Sequence, residues 1–390
     1  MERKQFLAKI HNAVDHNPVT ALLGPRQCGK TTLARDYVAS LKPEFPEHAN
    51  YFDLEDPQDL ARLADPILAL SPLSGVIVID EIQRFPNLFP ILRVLVDKKN
   101  SNRRFLILGS ASRELINQSS ESLAGRITHL EITQFQATEV GIEHFDRLWI
   151  RGGFPRSYLA DNDAVSMAWR NDFTRTFLER DIPQLGIQIP AADLRRFWMM
   201  LAHYHGQIFN ASELGRSLGI ADTTARRYLE ILRGAFMIRV LTPWIENLKK
   251  RQIKSPKIYF RDTGILHHLL GVESHDQLLT HPKLGASWEG FAFEEIVRFL
   301  GGEVENIYFW GVHQQAELDL LYLKGSKRIG WEIKYSSTPT LTKSISQAIE
   351  NLKLDKLYIV FPGEKSFSLD SRVTAVGLTA LLCGTRDEYL

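Results

Sequence analysis

The chain has 390 residues, with 47 lysines and arginines against 46 aspartates and glutamates, for a formal net charge of +1. This length predicts two or three domains at roughly 150 residues each, and 44% hydrophobic with 24% charged content excludes a disordered or fibrous chain. The balanced charge argues against a uniformly basic nucleic-acid coat but leaves room for a local basic patch. Two cysteines, Cys28 and Cys383, make no disulfide framework, so a reducing, cytoplasmic setting is expected. The N-terminal stretch MERKQFLAKIHNAV is charged and amphipathic and does not read as a signal peptide. No apolar run nears the roughly 18 residues of a membrane span.

Residues 1–140 alternate apolar β-type runs with helical patterns, as an α/β domain with a parallel sheet does. The predicted strands are Val19–Gly24, Asn50–Leu54, Gly75–Asp80, Arg103–Gly109 and Thr128–Ile132. Their near-continuous apolar character fits strands buried on both faces.

The segment LLGPRQCGKTTLA, Leu22 to Ala34, carries the spacing G-x-x-x-x-G-K-T between a predicted strand and a predicted helix, the context of a phosphate-binding loop. Gly24 and Gly29 are expected to permit positive φ and close approach of backbone to phosphate. Pro25, Arg26, Gln27, Cys28 and Thr32 complete the stretch that would wrap the phosphates. The loop would end on a helix N-terminus, where free N–H groups and the dipole favour anions. Lys30 would reach the β- and γ-phosphates, and the Thr31 hydroxyl would ligate Mg²⁺. Cys28 is either a redox-sensitive thiol near that helix end or a small apolar filler.

VIVIDE ends a strand in two carboxylates. Asp80 would hold Mg²⁺ through its water shell, and Glu81 would orient or deprotonate the attacking water; an ordinary strand-ending turn is the plainer alternative. Ser110, in LILGSAS, is either a polar sensor of the γ-phosphate or a turn residue. Arg126, in SLAGRI, is a candidate arginine finger, in cis or across a subunit boundary. Arg113 and Arg151 compete for that role, and a solvated surface arginine is the alternative.

GPRQCGKT, VIVIDEIQ, LGSAS and SLAGR, in that order, resemble the AAA+ ATPase superfamily. Nearly the whole chain resembles a prokaryotic group of AAA+ proteins with a restriction-endonuclease-like C-terminal domain. The resemblance implies a five-stranded sheet with a central P-loop strand, ATP and Mg²⁺ as ligands, and a tendency to form homo-oligomers. The expected organisation is an α/β AAA+ core at 1–140, a helical lid or linker at 141–205, a winged helix at 206–283 and a restriction-endonuclease-like α/β domain at 284–390.

The linker is interrupted by RGGFPRS at Arg151–Ser157. In the third region, a short helix begins around Ser212-Glu213-Leu214, Gly219 makes the turn, and Asp222 or Thr223 caps a second helix. Ala225, Tyr228, Leu229 and Leu232 share one face of that helix. The strands FMIRVL and KIYFRD flank NLKKRQIKSPK, where Lys249, Lys250, Arg251, Lys254 and Lys257 fall within nine positions. As a wing, this segment would grip DNA phosphates beside Arg226 and Arg227; a solvated scaffold face is the alternative, since no base-reading set is visible. Asp262 is expected to cap a turn.

ELDLLYLKGSKRIGWEIKYS places Asp319 on one strand and Glu332 and Lys334 on one face of the next. Trp331, Ile333 and Tyr335 face the other side. A hairpin between Tyr322 and Ile329, with Gly325 in its turn, would bring Asp319 near Glu332. Two carboxylates and a lysine can bind Mg²⁺ and polarise water against a phosphodiester. This resembles the D…E-x-K core of restriction-endonuclease-like nucleases, which implies a third metal ligand from the preceding helix: Glu289, with Glu294 in reserve. Gln347 would border the site. The same cluster could serve packing or ligand binding without cleavage. The chain therefore reads as an ATPase coupled to DNA processing or as an ATP-dependent switch with a non-catalytic C-terminal half.

Overall fold

In the computed structural model, which describes residues 1–41, 45–99, 101–110, 121–245, 252–302, 304–312 and 316–390, the run VTALLG forms β1, Val19–Gly24, buried at every position. It is followed by β2, Tyr51–Asp53, β3, Val76–Asp80, β4, Arg104–Ser110, and β5, Ile127–Glu131. These form one parallel sheet in the order β2-β3-β4-β1-β5. The P-loop strand is therefore interior but not central, one place in from the edge. The edge strand β5 is only partly covered, because it has a neighbour on one side alone.

Period-two alternation divides the sheet's side chains between two cores. Leu22, Val78, Leu106 and Leu108 pack with Phe6, Ile10 and Val14 of α1, Lys4–His16, and with Leu33, Ala34 and Tyr37 of α2, Lys30–Ser40. Ala21, Leu23, Ile77, Ile79, Phe105 and Ile107 pack instead with Leu88, Phe89, Leu92 and Leu95 of the helix Leu88–Val96.

The chain divides into two compact units, Met1–Gln134 with Gly234–Phe236, and Phe135–Arg233 with Met237–Leu390. In the second unit, Asn210 caps the helix Ala211–Leu218 by accepting from the Glu213 N–H, and Gly219 ends it in the left-handed conformation. The following helix, Asp222–Gly234, buries Ala225, Tyr228, Leu229 and Leu232, as its periodicity requires. β6, Gln207–Ile208, β7, Ile238–Leu241, and β8, Lys257–Phe260, form a small antiparallel sheet in the order β6-β8-β7.

The C-terminal strands are β9, Ile307–Val312, β10, Ala316–Lys324, β11, Lys327–Ile333, β12, Lys356–Phe361, β13, Ser366–Ser368, and β14, Val373–Gly377. They make a mixed sheet in the order β13-β14-β12-β11-β10-β9. Trp288 and Phe291 of the helix Leu284–Phe299 pack with Leu320, Trp331 and Ile333. Ile345, Ala348 and Leu352 of the helix Lys343–Leu352 pack with Leu318, Leu357 and Ile359. Among the described residues, no helix is long and apolar enough to cross a membrane.

A buried ion network joins β7 to the helix Leu284–Phe299. Arg239 Nη2 donates to Glu294 Oε2 at 2.9 Å, and Arg261 Nε lies 3.8 Å from the same oxygen. Burial would raise the Glu294 carboxyl, but Arg239, then Arg261 and Arg298, outweigh it and hold it at about 2. A folded pKa below the unfolded value stabilises above the unfolded value and loses that contribution as pH falls through the folded one. Urea titrations should show stability falling between pH 4.5 and pH 2, the two ends of this shift. Glu294→Gln should remove that component and cost about 3–5 kcal/mol at neutral pH, because two guanidiniums lose a buried counter-charge.

Candidate functional site

The loop after β1 ends on α2 with Gly29 as N-cap at φ +97°, as expected of a glycine at this turn. Gly24 is glycine for a different reason. It is not in the left-handed region; a Cβ there would lie 2.1 Å from the carbonyl oxygen of Ile132, so the start of the loop packs against the chain leaving β5. The second left-handed residue of the loop is Gln27, at φ +61°, a position the motif leaves free. Cys28 is fully buried, with Sγ donating to the Ile132 carbonyl at 3.5 Å, the environment of a filler.

Lys30 is buried and donates from Nζ to the carbonyls of Gly24 at 3.0 Å and Pro25 at 2.8 Å. Thr31 Oγ1 donates to Asp80 Oδ2 at 2.7 Å, across from the end of β3. Tyr51, on β2, donates to the same oxygen at 3.3 Å, and the Glu81 N–H donates to Asp80 Oδ1 at 2.9 Å. Burial raises the Asp80 carboxyl, opposed first by the Thr31 hydrogen bond. Glu81 is left-handed at φ +57°. Burial raises its carboxyl too, against the charge of Lys30. Gln83 donates to that carboxylate, and Arg26 Nη2 lies 3.9 Å from it. Thr32 is exposed on the first turn of α2. Ser110 ends β4 in register with Gly24; its side chain, and residues 111–120 with Arg113, lie outside the described residues.

The second constellation lies in the other unit, on the β10–β11 hairpin. Lys324 pairs with Lys327 around a two-residue turn with Gly325 at φ +60°, and Tyr322 pairs with Ile329. Asp319 accepts from the Ile333 N–H at 2.9 Å, and Lys334 Nζ lies 2.7 Å from Glu332 Oε1. Glu289 accepts from the Tyr259 hydroxyl at 2.6 Å. Among these carboxylates stands Lys257, the first residue of β8. Its Nζ is 3.2 Å from Asp319 Oδ1 and 3.6 Å from Glu289 Oε1, and it pairs with Glu317 as well.

The chain is 51% identical to "Uncharacterized protein Rv2008c" of Mycobacterium tuberculosis and to "Uncharacterized protein Mb2031c" of Mycobacterium bovis, over 100% of this chain and 87% of each relative. The chain belongs to their family. Residues 16–141 match the family model described as AAA domain, so the N-terminal unit is an AAA-like P-loop ATPase domain. Residues 142–276 and 284–381 match the domains of unknown function DUF8612 and DUF4143. Among solved structures, "The walker-type atpase paby2304 of pyrococcus abyssi" is similar at 15% identity and a TM-score of 0.46, over 69% of this chain and 95% of that one.

In this family member, several expected site residues stand elsewhere. Arg126 immediately precedes β5, and its carbonyl accepts from the N–H of Val19 at the start of β1. Gly24 is at the far end of β1, roughly 17 Å away at the usual rise of about 3.3 Å per residue. The Arg126 guanidinium is clasped by Asp97, at 2.6 Å and 2.9 Å. A finger acting in cis is out of reach from there. Arg151 is buried in the second unit against Asp163 and the Ala160 carbonyl. Asp262 caps the helix Thr263–Leu270, accepting from Ile265 and Gly153 N–H groups.

The metal set also needs correction. Glu294 is committed to Arg239 and is no reserve ligand. Carboxylate oxygens suit a hard divalent cation, and among the described residues Glu332 Oε2 is buried without a hydrogen-bond partner. Yet among the described residues no group of three or more His, Cys, Asp or Glu is arranged to hold a metal ion. The Lys257 ammonium is within ion-pair distance of both Glu289 and Asp319, where a cation shared by the two would meet a like charge. Burial, then Asp319, pushes Glu332 up to about 8; the same causes push Glu289 up to about 7. Burial would depress Lys257, but Tyr259, Asp319, Glu289 and Glu317 outweigh it and raise its pKa.

Lys257 is therefore not a wing residue for phosphates, being 3% exposed. Lys249, Lys250 and Arg251 lie outside the described residues, while Lys254, Arg226 and Arg227 are exposed. Gln347 is half-buried on the helix Lys343–Leu352. Sequence reasoning missed Tyr51, Tyr259 and Glu317, and it placed Lys257 in a phosphate-gripping wing. The period-two placement of Lys257 and Tyr259 on β8 was the available signal for Tyr259 and for the shared face of Lys257.

Gln27 yields a test of the loop. Gln27→Val forces a β-branched residue into the left-handed region and should cost about 1–2 kcal/mol in urea unfolding, whereas Gln27→Gly should cost nothing. Equal stability of the two variants would mean that this loop conformation is not held.

Proposed function

We propose that this protein is an ATP-hydrolysing switch, with Thr31 and Asp80 as the pair that holds Mg²⁺ and Lys30 as the cation that meets the β- and γ-phosphates. The observation that carries the reading is the 2.7 Å contact between Thr31 and Asp80. It sets two hard oxygens side by side, next to a loop whose lysine is already drawn inward. Such a pair fits Mg²⁺, which when bound would neutralise charge on the phosphates. The N–H groups of residues 24–32 would wrap the phosphates. Glu81 would orient and deprotonate the attacking water; its raised carboxyl makes it a better base than an exposed glutamate. Ser110 would sense the γ-phosphate from the tip of β4. Arg126 would serve a second copy of the chain, since its own loop is out of reach.

We further assign residues 141–205 as a helical linker, 206–283 as a winged helix and 284–390 as a restriction-endonuclease-like domain. The helix pair framed by the β6-β8-β7 sheet supports the second assignment, and the hairpin bearing Asp319, Glu332 and Lys334 supports the third. With Lys257 among the carboxylates, this C-terminal half reads as a responding module rather than a site poised to cut. A second reading, DNA processing, draws on the convergence of Asp319, Glu332 and Lys334 and on the exposed Arg226, Arg227 and Lys254.

Lys30→Ala should lose ATP binding in calorimetry and turnover in phosphate-release assays. Glu81→Gln should still bind ATP and hydrolyse it about 10²–10⁴-fold more slowly; turnover at the parental rate would remove Glu81 as the base. For the second reading, plasmid and branched DNA are incubated with the protein and Mg²⁺ or Mn²⁺. The switch reading expects no cleavage and no retardation at low salt. Cleavage that disappears in Glu332→Ala and Lys334→Ala would replace it with the nuclease reading.

A further inference from the structure

We propose that Lys257 is a built-in counter-ion that closes the acidic cluster of the C-terminal domain to divalent cations, held in place by backbone docking of the β7 and β8 arms on the edge of the sheet.

Three observations on different atoms carry this. The first is the place of the ammonium. Lys257 Nζ is buried within 3.6 Å of Glu289 and 3.2 Å of Asp319, and also pairs with Glu317. A divalent ion takes carboxylate oxygens at about 2.0–2.6 Å, so one bound between Glu289 and Asp319 would share its position with a like charge. The second is the acceptor that Lys257 leaves unused. Among the described residues, Glu332 Oε2 is buried with no hydrogen-bond partner, and Glu332 is itself only 5% exposed. Four carboxyl groups, Glu289, Glu317, Asp319 and Glu332, stand around two ammoniums, Lys257 and Lys334.

The third is the mechanical hold. β9 is one of the two edge strands of the C-terminal sheet, and the chain on both sides of residues 246–251 pairs with it. The Phe309 N–H donates to the Thr242 carbonyl at 3.1 Å, and the Trp244 N–H donates to Phe309 at 2.7 Å. The Ile253 N–H donates to Gly311 at 3.1 Å. A Cβ at Gly311 would lie 2.7 Å from Ile253 Cδ1, so the Ile253 side chain packs directly over this strand. Lys257 follows four residues after Ile253. The arm that is docked on β9 is thus the arm that delivers the ammonium, and Lys257 leaves the cluster only if the docking gives way or the long side chain swings out.

The inference rests on reading the acidic cluster as a cation site; it does not depend on ATP hydrolysis. The test uses the full chain without nucleotide, titrated with Mn²⁺ in a calorimeter and by the Mn²⁺-induced rise in Tm. Lys257→Gln should bind Mn²⁺ at least tenfold more tightly than the parent and show the larger Tm rise, and adding Asp319→Asn should cancel both gains. Equal Mn²⁺ affinity in parent and variant, or a gain that survives Asp319→Asn, would overturn the proposal. Should Lys257→Gln fail to fold, Lys257→Met takes its place, since it keeps the apolar stem of the buried side chain and removes only the ammonium. It should tighten Mn²⁺ binding by the same factor, and unchanged affinity would again overturn the proposal. Phosphate release from ATP is measured on the same samples. A chain that hydrolyses ATP without the Mn²⁺ gain defeats the lysine proposal alone, and one that shows the gain without ATP turnover defeats the ATPase reading alone.

Discussion

Parallel pairing of β3, β4 and β1 is the constraint on which the N-terminal chemistry depends. Parallel strands end at one edge of their sheet, and ligands of open α/β sheets collect beyond the strands' carboxyl ends. Here the register sets Gly24 level with Ser110, and Asp80 follows directly on the Ile79–Ile107 pair. Thr31 meets Asp80 because α2 starts six residues after β1 ends. The same constraint removes Arg126 from its own site. It precedes a parallel strand and so stands at the opposite edge.

The second unit uses a different device. Its acidic residues meet through an antiparallel hairpin, in which residues far from the turn face each other as surely as those beside it. Burying so many carboxylates in one place is costly unless each finds a counter-charge. Glu294 finds it in Arg239 and Arg261, and Glu295 in Arg298 at 2.6 Å. Glu289, Glu317 and Asp319 find it in Lys257. Both networks draw a cation from the strand pair β7 and β8 or its flanks onto a carboxylate of the C-terminal domain.

Much of this was legible in local pattern. Apolar runs ending in Gly24 and Asp80 announced parallel strands, and β1 forms over the expected residues. Ala225, Tyr228, Leu229 and Leu232 announced a buried helix face, and the Tyr322–Ile329 hairpin follows from Gly325 between two alternating runs. What local pattern could not carry was partner choice. Nothing near Gly24 foretells the Ile132 carbonyl, more than a hundred residues on, that demands a glycine. Glu294 and Glu289 look alike on one helix, yet one faces two arginines and the other a tyrosine and a lysine. Lys257 stood in a basic run and was read with its sequence neighbours. Strand pairing turned it away from Lys254, which is exposed, and into the carboxylates.

The two buried lysines therefore differ in what it takes to recruit them. Lys30 is held by two neutral carbonyls, and a phosphate would be the stronger acceptor for its ammonium because it adds a full opposite charge. On the proposed function, exchange of partners at the P-loop would run downhill once a phosphate arrives. Lys257 is held by three carboxylates, and its departure leaves the buried Asp319 and the partly covered Glu289 and Glu317 without their counter-charge. That exchange runs uphill unless another cation enters as the ammonium leaves. One site is thus set to respond to a ligand by itself, whereas the other stays closed until something moves the strand that carries its lysine.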